Sequence, residues 1–265
     1  MKAVVVIGLV TGLLLTTAGC TSDDDEKGGT PAAKASRSAA VAASASSAAA
    51  VATGDLNTAV QELTRTSYKY TLKAGDASGG GTVDPAAKQS SLTVTIDADE
   101  DFKTEVLLLD TELYLRISGL PLPGLDGQKW FKIDRSRIKS FTALGIQDVD
   151  DPSGVKTLAK TIATIQKTGD RSYKGTLDLT KGSTAFGLDE AAARALGDKA
   201  KAVPFEATVN EQGKLATWKM VIPAHGTEKE TPFDLTYSEH GGKFPLTKPA
   251  DAAAPPDAVY DILQA

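Results

Sequence analysis

Beyond the first fifty residues the chain alternates between two hydrophobic periods. Leu56, Val60 and Leu63 recur at helical spacing over residues 55–66, with Thr53 or Asp55 placed to cap, and predict an amphipathic helix. From Tyr68 the period falls to two. Tyr68, Tyr70 and Leu72, then Leu92, Val94 and Ile96, then Phe102, Thr104, Val106 and Leu108, then Leu113, Leu115 and Ile117 alternate with polar neighbours. Short polar turns at residues 98–101 and 110–112 separate the last three runs, which predicts an antiparallel meander. Trp130, Phe131 and Ile133 mark another strand after the Gly/Pro-rich stretch 119–127. Gly79, Gly80 and Gly81 read as a loop between strands.

The middle of the chain returns to the helical period. Val155, Leu158, Ala159, Ile162 and Ile165 share one face and predict a helix over residues 152–168, with Lys156, Lys160, Thr164 and Lys167 opposite. Ile138, Phe141 and Leu144 suggest a shorter helix before it. Residues 173–179 resume the strand pattern, and Asp189 caps a third predicted helix through about Ala200. Strands around 205–209, 217–222 and 233–237 follow, the first two joined by the turn Asn210-Glu211-Gln212-Gly213. The sum is an α+β domain: one antiparallel sheet of roughly nine to eleven strands with a single apolar face, strongly curved by its twist, and helices covering the concave side. Such a curved sheet either fills its interior or keeps a cavity, and the pattern is compatible with both.

The first residues follow a different logic. Lys2 precedes an apolar run over 3–15, and Thr16-Thr17-Ala18-Gly19 lead small side chains into Cys20, the chain's single cysteine. This is the layout of a cleaved export signal, too short for a spanning helix. It resembles a bacterial lipobox, with Thr17 where leucine is usual, and predicts residues 1–19 as a lipoprotein signal peptide and Cys20 as the diacylglycerol- and palmitate-bearing residue. The expected location is the outer, extracytoplasmic face of the cell membrane. An acidic cluster and an Ala/Ser/Thr/Gly tract complete residues 20–53, which lack the large apolar side chains needed to offset ordering entropy and read as a tether. Residues 54–265 are the single folded domain.

Composition narrows the function classes. A formal charge of −5 with no basic block argues against nucleic acid as a partner. His225 and His240 stand alone in polar stretches without cysteine or spaced carboxylate partners, so no metal or other cofactor is expected. Ser153 lacks the Gly-x-Ser-x-Gly elbow of hydrolases, and the pairs Asp99/Asp101 and Asp150/Asp151 read as turn residues. No catalytic residue is expected, and the chain does not read as an enzyme.

Four features in order resemble the LppX/LprG-type lipoproteins of actinobacteria, whose fold is similar to the LolA/LolB carriers. They are the first helix leading into a tyrosine-bearing strand; Glu112-Leu113-Tyr114-Leu115 followed by Trp130-Phe131; Asp151-Pro152-Ser153-Gly154-Val155 opening an amphipathic segment; and the closing strands. The resemblance implies an apolar half-barrel cavity that accepts acyl chains, and a role in moving or presenting lipids or lipoglycans, with an envelope transporter as a further partner. Its lining would include Val106, Leu108, Leu115, Ile117, Leu158, Ile162, Trp218, Met220 and Leu235. Leu120, Leu122 and Leu125 would form a loop at the mouth or against the bilayer, if they do not simply pack on the domain. The alternative is a filled half-barrel serving as an interaction or sensor module with a protein partner.

Overall fold

The computed structural model describes residues 54–97, 102–119, 125, 127–138, 154–186, 188 and 190–264. Cys20 and the tether lie outside them, as do Leu120, Leu122, Phe141, Leu144, Asp189 and Asp151-Pro152-Ser153.

Eleven strands form one open, wholly antiparallel sheet. The first six are β1 (Tyr68–Ala74), β2 (Ala77–Asp84), β3 (Gln89–Ile96), β4 (Phe102–Leu109), β5 (Glu112–Ser118) and β6 (Phe131–Ile133). The other five are β7 (Ile162–Gly169), β8 (Ser172–Leu177), β9 (Val203–Val209), β10 (Leu215–Ile222) and β11 (Thr231–Ser238). Their spatial order is β6-β5-β4-β3-β2-β1-β11-β10-β9-β8-β7, so two sequential meanders are joined where the first strand pairs with the last.

Side-chain alternation through these ladders puts one apolar face across all eleven strands. The helices pack on that face at its two ends. On the β7–β11 side, Leu56, Ala59, Val60 and Leu63 of α1 (54–62 and the turn after it), with Val155 and Leu158 of α2 (Val155–Thr161) and Leu196 of α3 (Glu190–Leu196), join Tyr173, Leu177, Phe205, Trp218, Met220 and Phe233 in one buried cluster. On the β4–β6 side, Val259, Tyr260 and Leu263 of α4 (Asp257–Gln264) join Val106, Leu108, Leu113, Leu115, Ile117, Phe131 and Ile133 in a second. The β6 edge is covered by the approach to α4, where Lys132 and Ala253 donate backbone bonds to Ala253 and Trp130 carbonyls at 2.9 and 2.8 Å.

Three expectations change. The helix predicted over 152–168 stops at Thr161, and Ile162–Gly169 is a strand pairing with β8. Ile162 and Ile165 match a helical period, but so do alternate positions of a bulged edge strand, and the Thr and Ile content of Ile162-Ala163-Thr164-Ile165 favours the pleat. Gly79, Gly80 and Gly81 lie inside β2 rather than in a loop. The closing helix α4 follows Pro255-Pro256, which the strand-dominated reading of the C-terminus passed over.

Candidate functional site

The two buried clusters do not meet. Following the ladders across the apolar face, one row runs Trp218, Leu235, Leu72, Gly79, Val94, Thr104, Ile117. Its ends are sealed, Trp218 at 0% and Ile117 at 3% exposure, but Leu235, Leu72, Val94 and Thr104 are half-buried. The neighbouring row, Tyr237, Tyr70, Gly81, Leu92, Val106, Leu115, repeats this, with Tyr70 and Leu92 half-buried between closed ends. A third row runs through Ala74, Ala77, Ile96 and Phe102, and Ile96 is 37% exposed, one of the few large apolar side chains left exposed among the described residues. The centre of the face, over β11, β1, β2, β3 and β4, is therefore an apolar strip that the helices leave partly open. At a strand spacing of about 4.8 Å it is about 19 Å wide.

Glycines set the depth of this strip. A Cβ at Gly79 would sit 2.1 Å from the Thr93 carbonyl oxygen, and one at Gly81 1.8 Å from that of Ser91, so neither position accepts a side chain while β2 stays in register with β3. Gly81 also leaves room for its cross-strand neighbour. The Tyr70 hydroxyl passes over β2 and donates to the Ser91 carbonyl on β3 at 3.5 Å. Burial pushes the Tyr70 and Tyr237 hydroxyls far above the ordinary phenol range, so both stay neutral.

The residues expected to line a cavity fall into two groups. Val106, Leu108, Leu115 and Ile117 are buried in the β4–β6 cluster, and Leu158, Trp218 and Met220 in the β7–β11 cluster, with Ile162 and Leu235 half-buried against the latter. They frame the strip from both ends. Leu125, expected near a mouth, is 2% exposed and packs in the β4–β6 cluster. The strip's own floor, Leu72, Gly79, Gly81 and Val94, was missed as a site. Leu72 and Val94 carried the strand signal, but their convergence depends on β2, whose Ala-Ser-Gly-Gly-Gly sequence lacks alternation.

Within the β7–β11 cluster the Phe205 and Trp218 rings stack with centroids 4.3 Å apart. The Trp218 indole N–H is fully buried and meets no acceptor among the described residues. Beside Tyr68 of this cluster, the His240 ring bonds the Leu215 carbonyl through Nε2 at 2.9 Å, while Nδ1 is buried without a partner among the described residues. Burial, the largest influence, holds this imidazole below its usual range, in the neutral form.

The opposite face is polar and carries a separate groove of about 710 Å³ across β7–β11. Among the described residues no helix is long and apolar enough to cross a membrane.

No family model matches the chain, and no curated protein does either. Among solved structures, the DNA polymerase sliding clamp from Pseudomonas aeruginosa aligns over 73% of this chain and 64% of its own at 9% identity, with a TM-score of 0.13. A likeness at that level carries no argument about fold or function.

Proposed function

We propose that the chain is a membrane-anchored envelope lipoprotein of the LppX/LprG type, with a LolA-like half-barrel. It takes the acyl chains of a lipid or lipoglycan along the central apolar strip and carries or presents them without catalysis. One observation supports this above the rest: half-buried Leu72, Leu235, Leu92 and Val94 form a continuous apolar floor between two sealed clusters. Acyl chains need only a dry apolar wall, and each CH₂ buried contributes about 0.8 kcal/mol, so an alkyl chain laid across several strands binds firmly with few polar contacts. The glycines of β2 let such a chain approach the backbone. Acylated Cys20 holds the carrier at the membrane outer face, where lipid is the most accessible ligand, and an envelope transporter would take or deliver the cargo.

The test is native mass spectrometry of the full chain purified from a lipid-rich bacterial host. Co-purified acyl lipid is expected, with its loss in Leu72→Trp and Val94→Trp variants that keep the wild-type circular dichroism spectrum. A protein that carries no lipid and takes up no fluorescent fatty acid would sink the proposal.

A second reading has its own observation. Seven of the nine cavity candidates are buried in packed clusters, from Leu115 and Trp218 at 0% to Met220 at 4% exposure. This favours a filled domain acting through its surface on a protein partner, and lipid-free purification would support it.

A further inference from the structure

The groove on the polar face backs onto the β7–β11 cluster, whose Ile165, Phe205 and Met220 contribute to its lining. Its centre is a cross-strand row read from the ladders: Lys174 on β8 opposite Glu206 on β9, Glu206 opposite Lys219 on β10, and Lys219 opposite Asp234 on β11. The row alternates +, −, +, −. None of the four closes an ion pair within 4 Å among the described residues, although their strands are adjacent. Beside it runs an apolar row of Pro204, Val221 and Pro232, with Val221 41% exposed in the middle of the sheet. Both prolines sit where the ladder on one side has ended: β9 pairs β10 only as far as Phe205, and β11 pairs β1 only as far as Phe233. Their missing N–H groups therefore cost no sheet bond.

We propose that this face is the contact surface of a symmetric dimer of the chain. The argument is charge complementarity under rotation. A half-turn about an axis lying along the strands, between β9 and β10, brings the face onto that of a second copy. Glu206 of each copy then meets Lys219 of the other, and Lys174 meets Asp234, so each charge faces its opposite. The same rotation sets Pro204 against Val221, giving an apolar centre beside the charged row. The contact is isologous and closes at two copies. It leaves the apolar strip, on the other side of the sheet, free in both, so it does not depend on lipid binding.

Sedimentation equilibrium of the full chain in density-matched detergent tests this. The wild type is expected to dimerise, more weakly as salt rises. Lys219→Glu sets two carboxylates against each other twice and should raise the dimer dissociation constant by about tenfold or more. Glu206→Lys should do the same, and the double variant Glu206→Lys/Lys219→Glu should restore dimerisation. Val221→Lys, also at an exposed position, should weaken it independently. A monomeric wild type overturns the proposal. So does a dimer indifferent to single reversals, or a double variant no better than either single one, provided the circular dichroism melts are unchanged.

Discussion

Trp218 shows what is at stake at single positions. Its ring is fully buried against Phe205, yet its N–H has no acceptor among the described residues, so the residue combines a large packing gain with an unsatisfied donor that costs about 1–3 kcal/mol. Trp218→Phe removes the orphan donor and keeps most of the stack, and should change stability by less than about 1.5 kcal/mol, as volume-conserving apolar exchanges do. Trp218→Ala should cost about 3–5 kcal/mol. Chemical denaturation of the two variants checks this, and equal losses would mean the donor is in fact satisfied. Glu112 is a second such position. Lys132 at 2.5 Å, Lys248 at 2.9 Å and the Tyr114 hydroxyl at 3.0 Å all donate to its carboxylate and hold its pKa down to about 2. A carboxyl depressed in the folded state binds fewer protons there than in the unfolded chain. Its contribution is therefore complete above the ordinary carboxylate range and lost as pH falls towards 2. Thermal melts from pH 6 to pH 2 should show a shallower acid decline for Glu112→Gln than for the wild type.

At the scale of elements, β2 is the most exacting piece. Three glycines in succession leave its middle without side chains to specify register, so it is held by β1 and β3 on either side and by Thr82, bonded to the Ser91 hydroxyl, and Val83, buried in the β7–β11 cluster, at its end. Gly81→Ala would place a Cβ 1.8 Å from the Ser91 carbonyl oxygen and must part β2 from β3. A tolerated glycine-to-alanine exchange gains up to about 1 kcal/mol, whereas here a loss larger than that is expected, with amide exchange quickening in β2 and β3 before α1 or α4; uniform quickening would contradict this. The strands with alternating apolar residues, β1, β3–β5 and β8–β11, were legible in the sequence because half-buried strands write their burial as a period of two. So was α1, whose Leu56, Val60 and Leu63 all reach the core. β2 was not, since glycine is depleted in strands and leaves no alternation to read. β7 was hidden because isoleucines three apart satisfy a helix as well as a strand with shifted register. The site suffered most from these omissions: its walls were named from β4, β5, β10 and α2, and Leu235 of its floor on β11, but Leu72, Leu92, Val94 and the glycines of β2 were not.

For the whole molecule, pairing of β1 with β11 joins the two meanders into one sheet with an apolar and a polar face. Helices close the two ends of the apolar face and leave its centre half open, the place proposed for an alkyl chain. The polar face presents alternating charges and an exposed valine, the place proposed for a second copy. The proposed lipid site is the central claim, and photo-crosslinking addresses it most directly. A fatty acid bearing a diazirine along its chain would be bound to the full protein, irradiated, and its adducts mapped by peptide mass spectrometry. Adducts are expected on Leu72, Val94, Leu92 and Leu235, and should disappear on adding excess unlabelled lipid. Adducts confined to the polar face around Pro204 and Val221, or scattered without competition, would contradict a lipid-accepting strip.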